Sequence, residues 1–351
     1  MTQDHYERLR EALDRLPGGF PSVPSRVELQ ILKRVFSPEE ARVAASMTGT
    51  RETSAAIAAR AGMPEAETEQ ILRDMAKRTV IWGSPRDGVW QYRLAPYVVG
   101  FYEEQWANMD HELAHLCEQY WMEGGLAGIM RHTPPLNRVV PAQQALKREI
   151  ILPYDDVKAM IMAGKSFEVR DCICRIQQDL VGKRRCKSPL RICLNFSTAE
   201  RPQGPHDIAK EEALRLLDQA EEIGLVHTVA NVAKGVTFVC NCCGCCCAVL
   251  RGITEFGIEN SVARANYYAV VDDDACTACG LCETRCQVGA CKVDDVAHID
   301  LKKCIGCGLC VTSCTSDAVS LRRRPEGETV HPPETYKAWE QERLRKRGMA
   351  G

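Results

Sequence analysis

Six cysteines occupy eight consecutive positions, Cys240 to Cys247, in the stretch FVCNCCGCCCAVL, and a thiolate is the softest metal ligand a side chain offers. The same 351-residue chain holds twenty cysteines in all, of which four more lie at Cys172, Cys174, Cys186 and Cys193 and nine between Cys276 and Cys314. The N-terminus MTQDHYERLREALDRL is polar and reads as a helix, without the basic start and apolar run of a secretory signal, and no apolar run approaches a membrane span. A cytoplasmic, reducing setting is therefore expected, and there this density of cysteine points to metal and not to a disulfide framework. Lysine and arginine (45) nearly balance aspartate and glutamate (47), so net charge gives no general push towards nucleic acid or an anionic membrane.

Spacing narrows the metal chemistry. Cys276, Cys279, Cys282 and Cys286 form a C-x2-C-x2-C-x3-C run, and Cys304, Cys307, Cys310 and Cys314 repeat it 28 residues later. Gly280 and Leu281 recur as Gly308 and Leu309, Thr284 as Thr312, and Ala290 as Ala318, so one structural unit is used twice. Zinc would need two tetrathiolate sites from these residues, whereas two complete runs of this kind are an iron–sulfur signature. Residues 266–322 resemble the bacterial ferredoxin domain that carries two [4Fe–4S] clusters. In that family the fourth cysteine of each run ligates the other cluster. The resemblance thus implies one cluster on Cys276, Cys279, Cys282 and Cys314, and a second on Cys304, Cys307, Cys310 and Cys286. Gln287 and Thr315 stand where the family has proline, a change that bears on rigidity and hydrogen bonding around each cluster. Cys291 is left over and reads as a small buried hydrophobe.

The central region offers ten further candidates: Cys172, Cys174, Cys186, Cys193, Cys240, Cys242, Cys243, Cys245, Cys246 and Cys247. A cubane takes four, so a subset of them is expected to hold a third [4Fe–4S] cluster, with enough thiols remaining for a fourth. Adjacent residues such as Cys242 and Cys243 point in different directions along an extended chain, which suits a run that serves two sites or one site and a free thiol. With iron only on the ferredoxin cysteines, the six-cysteine stretch would be a thiol or zinc site. Cys242-Cys243-Gly244 is similar to the CCG motif of heterodisulfide reductases, which implies a reactive and not merely conducting centre. The downstream C-x2-C of that family falls here on Cys276 and Cys279, within the ferredoxin block.

Scaffolding for these cysteines is legible around them. An amphipathic helix is predicted from about Ala209 to Ile223, stopped by Gly224, and two strands joined near Lys234 and Gly235 lead into the cysteine run. Further back, residues 53–94 read as helix, turn at Gly62 to Pro64, helix, then a hairpin turning near Arg86 to Gly88, the pattern of a winged helix-turn-helix. Its second helix carries Glu65, Glu67, Glu69 and Asp74 against Arg73, Lys77 and Arg78, a balance that disfavours DNA and favours protein docking. His111-Glu112-x-x-His115 matches the zinc-protease pattern. It lies on a helix expected to present Phe101, Tyr102, Trp106, Met109, Leu113, Leu116 and Tyr120 inward, so both histidines should face solvent.

The expected fold is α+β and multidomain: a mainly helical, winged-helix-like module over residues 1–127, a cysteine-rich α+β domain over 128–265, the ferredoxin domain over 266–322 and a solvated basic tail over 323–351. A proline-rich crossing, residues 131–141, joins the first two. As a whole the chain is similar to multidomain ferredoxin-type proteins of anaerobic bacteria. That implies an electron carrier or electron-transfer subunit serving a partner oxidoreductase. Two other functions fit the same parts: a redox-sensing regulator acting through the winged module, and a reductase with its chemistry at Cys240 to Cys247. No glycine-rich nucleotide fingerprint joins a βαβ unit, so nicotinamide and flavin are not expected.

Overall fold

A computed structural model describes residues 4–146 and 151–349. The architecture is α+β, with helices and several small antiparallel sheets, and it divides into two compact units. The first comprises residues 1–132, 176–182 and 343–351; the second comprises residues 133–175 and 183–342.

Six helices and a hairpin come first: α1 (His5–Asp14), α2 (Val27–Val35), α3 (Pro38–Ala44), α4 (Ser54–Ala61), α5 (Glu65–Lys77), β1 (Ile81–Arg86), β2 (Val89–Leu94) and α6 (His111–Tyr120), followed by the single turn α7 (Leu126–Met130). Local chemistry sets the boundaries. Ser37 and Glu40 close a reciprocal capping box on α3, and the Thr53 hydroxyl accepts from the Ala56 N–H to start α4. Gly62 ends α4 in the left-handed conformation, as the Gly62–Pro64 turn required. The β1–β2 hairpin pairs Ile81 with Leu94 through to Arg86 with Val89, turning at Asp87 and Gly88.

Two sequence expectations fail in this unit. The helix expected to run from Phe101 begins only at His111, where the Asp110 carboxylate accepts the Leu113 N–H at 2.8 Å. The chain instead breaks at Val98 and Val99, which are extended, and continues as a short 3-10 helix, Glu103–Ala107, while Tyr97 and Phe101 fold into an aromatic cluster with Phe20. The tail is not solvated either. Its helix packs, and Arg343 is fully buried, donating to the carbonyls of Pro17, His132 and Ile129 at 2.5–2.8 Å. Those carbonyls end turns and helices and have no partners of their own within them, which is why a buried guanidinium is tolerated there.

The second unit contains β3 (Asn137–Val140), α8 (Val157–Met162), β4 (Ser166–Asp171), α9 (Ile173–Leu180, whose last turns count with the first unit), β5 (Arg191–Ser197), α10 (Lys210–Glu222), β6 (Val226–Ala230), β7 (Phe238–Cys242) and α11 (Ala248–Thr254). Its five strands make one antiparallel sheet in the order β3-β6-β7-β5-β4. Four residues of the expected proline-rich crossing thus form a buried edge strand, β3. Ala213, Leu216 and Leu217 of α10 pack on Val140, Phe167, Val169, Leu194, Val229 and Val239 of the sheet. The alternation along β7 sends Val239 into this core and leaves Cys240 and Cys242 together on the other face.

The ferredoxin-like block completes the unit with β8 (Tyr267–Val271), α12 (Leu281–Arg285), β9 (Cys291–Val293), β10 (Ala297–Ile299), α13 (Leu309–Thr312) and β11 (Val319–Arg323). β8 pairs with β11, and β9 with β10. The sequence repeat is also a conformational one: Gly280 precedes α12 at φ 75° and Gly308 precedes α13 at φ 77°, backbone angles at which a side chain is strained. The final helix is α14 (Tyr336–Lys346), and within this unit Trp339 Nε1 donates to the Pro135 carbonyl at 2.9 Å.

Candidate metal centres

The ten central cysteines fall into two groups. Six of them form a closed ring of interacting thiols: Cys172 neighbours Cys174 and Cys193, Cys174 continues to Cys247, Cys247 to Cys242, Cys242 to Cys240, and Cys240 back to Cys193. Five elements supply it. Cys172 ends the β4 connection, Cys174 stands in the first turn of α9, Cys193 is on β5, Cys240 and Cys242 share a face of β7, and Cys247 caps α11.

Charge in the ring is uneven. Hydrogen bonds from Cys240 and Cys247 hold the Cys242 thiol down to about 6, with the Thr228 hydroxyl 3.5 Å away. Cys174 and Cys193 in the same way hold Cys172 well below the usual thiol value, and Arg175 adds to this. The two favoured thiolates stand at opposite corners. Arg175 is fully buried beside them, anchored on the carbonyls of Pro189 (3.1 Å) and Asn241 (2.8 Å). Asn241 points away from the ring, donating to the Ile192 carbonyl at 2.7 Å and meeting His227 Nδ1 at 2.7 Å. It therefore locks the cysteine-bearing strand to both neighbours.

Cys186, Cys243, Cys245 and Cys246 make the second group, and all four sulfurs lie within 4.8 Å of one another. Cys186–Cys243 is 3.6 Å, Cys186–Cys246 3.9 Å, Cys243–Cys245 3.8 Å and Cys245–Cys246 3.5 Å. Cys186 comes from the loop between α9 and β5, where Arg184 Nε donates to the Cys186 carbonyl at 3.0 Å. The other three come from the turn after β7. Ile192, Ala220 and Leu225 wall this quartet from one side. Cys242 and Cys243, adjacent in sequence, belong to different groups.

Gly244, at the centre of the turn, meets the ferredoxin block. Its N–H donates to Gln287 Oε1 at 2.8 Å, and a Cβ there would stand 2.0 Å from the Gln287 carbonyl oxygen. Gln287 Nε2 donates in turn to the Gly224 carbonyl at 2.7 Å. Arg285 reinforces the contact through the carbonyls of Glu221 and Glu222, at 3.0 and 2.6 Å. The residue that replaces proline after Cys286 is thus the fastener between two cysteine regions, a role its departure from the ferredoxin pattern flagged without explaining.

Within the block, Cys276, Cys279, Cys282 and Cys314 line one pocket together with Val293, Ala297 and Val319. Backbone N–H groups point at the sulfurs: Ala297 to Cys276 at 3.4 Å, Ala290 to Cys286 at 3.1 Å, and Leu309 to Cys307. Burial pushes the Cys307 thiol up to about 12, and the neighbouring Cys286 and Cys304 push the same way, so these residues face a common space. Cys310 lies among the same sulfurs. Cys291 is buried on β9 beside Cys282.

The other sequence candidates are placed as well. His111 and His115 are exposed on α6 with ring centroids 4.3 Å apart, and among the described residues no metal-binding group includes them. Cys117 is buried in the first unit, where Tyr97 Oη donates to its sulfur at 3.2 Å. Sequence reasoning missed Arg175, Asn241 and His227. An arginine directly after two ring cysteines, in DCICR, was the available signal for the first.

Comparison with known families matches a 4Fe-4S binding domain to residues 297–320, the segment that contains Cys304, Cys307, Cys310 and Cys314. No curated protein and no solved structure matches the chain. The protein is an iron–sulfur protein. No helix among the described residues is long and apolar enough to cross a membrane.

Proposed function

We propose that the protein is an electron-transfer protein, in which the two cysteine runs of the ferredoxin-like block hold two [4Fe–4S] clusters and the central ring holds a third. The block's residues fit such clusters. Closely spaced thiols share one pocket, backbone N–H groups are directed at the sulfurs, and glycines at φ near 75° let the chain approach them. Bound there, the clusters supply one-electron chemistry at low potential. In this reading Cys276, Cys279, Cys282 and Cys314 hold one cluster, and Cys304, Cys307, Cys310 and Cys286 the other. The ring offers six thiols, more than a cubane uses, and Arg175 offsets the charge they would carry as thiolates.

The observation that carries electron transfer is the 4Fe-4S binding segment at residues 297–320, whose Cys314 shares a pocket with Cys276, Cys279 and Cys282; the block is fastened to the neighbouring cysteine turn at Gln287. Gln287 follows Cys286 directly and hydrogen-bonds the N–H of the glycine between Cys243 and Cys245. Two thiol-rich regions are thereby fastened together through the Gln287 side-chain amide. The helix–helix–hairpin formed by α4, α5, β1 and β2 is read as a winged-helix-like module that docks a partner oxidoreductase, since the first turn of α5 is acidic.

The test is iron, acid-labile sulfide and EPR on anaerobically purified protein reduced with sodium dithionite, for the native chain and Cys304→Ala. About twelve irons per chain are expected in the native protein and about eight in the variant, with the ferredoxin-type signal disrupted and the central one kept. Full iron and both full signals in the variant would sink the ligand assignment.

A further inference from the structure

The quartet has a different geometry from the sites around it. Four sulfurs bonded to one ion at about 2.3 Å stand at the corners of a tetrahedron whose edge is about 3.8 Å. Four of the six sulfur–sulfur separations in the quartet are 3.6, 3.9, 3.8 and 3.5 Å, and all six are within 4.8 Å. A cubane instead places a separate iron behind each thiolate, with four bridging sulfides between the irons, so its ligand sulfurs stand well beyond van der Waals contact. The space enclosed by the quartet admits one ion and no such core. The chain carries its own comparison: neither the ferredoxin thiols nor the ring thiols form a group of three or more within 4.8 Å of one another among the described residues.

From this we propose that Cys186, Cys243, Cys245 and Cys246 bind a single tetrahedral metal ion, Zn2+ being the expected one, and are not ligands of an iron–sulfur cluster. Four ligands leave no open coordination position, which is the arrangement of a structural site. Zinc also outcompetes ferrous iron at a thiolate set of this kind.

The surroundings suit the charge that results. A divalent ion with four thiolates keeps two negative charges, and Cys186 stands in the sequence KRRCK, flanked by Lys183, Arg184, Arg185 and Lys187. The Ser188 and Arg185 backbone N–H groups donate to the sulfurs of Cys186 and Cys245, the outer support that fixes metal ligands. Arg175, buried between ring and quartet, acts on Cys243 as well as on Cys172. The ion would tie the Cys186 loop to the turn that Gln287 holds from the other side.

The inference rests on the reading of this chain as an iron–sulfur protein only in removing four thiols from the candidates for a fourth cluster. The experiment is zinc, iron and sulfide per chain, by mass spectrometry and chemical assay, on native protein, Cys186→Ser and Cys245→Ser. One zinc per chain is expected in the native protein and at least a tenfold loss in each variant, with iron and sulfide unchanged. Loss of one iron without sulfide would uphold the single-ion site with iron in it. Loss of about four irons together with sulfide, or no metal change at all, would overturn it. Should the variants fail to fold, X-ray absorption at the zinc edge of native protein decides: four sulfurs near 2.3 Å are expected, and absent zinc or mixed light ligands refute the site. An iron count below eight would sink the electron-transfer reading while leaving the zinc result standing.

Discussion

Two cysteine regions in this chain solve opposite packing problems. In the ferredoxin-like block, thiols of two repeated runs are spread around a pocket, backbone N–H groups meet Cys276 and Cys314 there, and a left-handed glycine opens each short helix. In the quartet, thiols from a loop and a turn converge until sulfur touches sulfur. Four cysteines line that pocket and four make the quartet, and the difference lies in how far apart the backbone holds them. Spread thiols leave room for several metal atoms and bridging sulfides, while converged thiols leave room for one ion. On the assignments proposed above, backbone spacing would set nuclearity before any metal arrives.

The largest effect should come from testing the ring against the quartet. Cys172→Ser removes a ring corner that sits on no quartet contact, so about four irons should be lost while zinc stays. Zinc lost along with that iron would mean the ten central thiols act as one site, and the division into two groups would fail.

Steric substitution at the joint should come next. Gly244→Ala drives a Cβ to 2.0 Å from the Gln287 carbonyl oxygen, and backbone on both sides must yield. A loss of about 1–3 kcal/mol in unfolding free energy is expected from overpacking of this kind. Gly327→Ala, where nothing lies within 4 Å, is the control and should stay within about 0.5 kcal/mol of native. Equal stability for the two variants in urea unfolding would remove the joint from the comparison.

Much of this was legible in the chain because its signals are local. The 28-residue repeat predicts two equivalent glycine-capped turns, and Gly280 and Gly308 adopt them. The amphipathic run predicts α10 to within a residue at each end, and the strand pair leading into the cysteines is β6 and β7. Strand alternation separates Cys242 from Cys243, as the structure does. What local pattern could not supply is the partner of each thiol. Cys186 joins Cys243 across 57 positions, and Cys172 reaches Cys193 only because β4 and β5 pair. The same limit hid the buried tail: Arg343 reads as one cation in a basic stretch until Pro17, Ile129 and His132 present it with carbonyls. The broken helix before His111 was hidden by apolar spacing that also suits an aromatic cluster folded on Phe20.

The smallest effect expected is the most specific to the contrast between spread and converged thiols. Gln287→Ala leaves the Gly244 N–H and the Gly224 carbonyl without the partners they have at 2.8 and 2.7 Å. Two hydrogen bonds of this kind are together worth about 1–3 kcal/mol. Since the Gln287 side chain meets only the backbone of the quartet turn and is no ligand itself, metal content should not change. Its rate of loss should: zinc released to excess 4-(2-pyridylazo)resorcinol is expected several-fold faster than from native protein, with iron retained over the same interval. Unchanged zinc release would mean the turn holds its four sulfurs without help from the ferredoxin block. Accelerated loss of iron with zinc unmoved would place the effect of Gln287 on its chain neighbour Cys286, and the converged site would then be independent of the spread one.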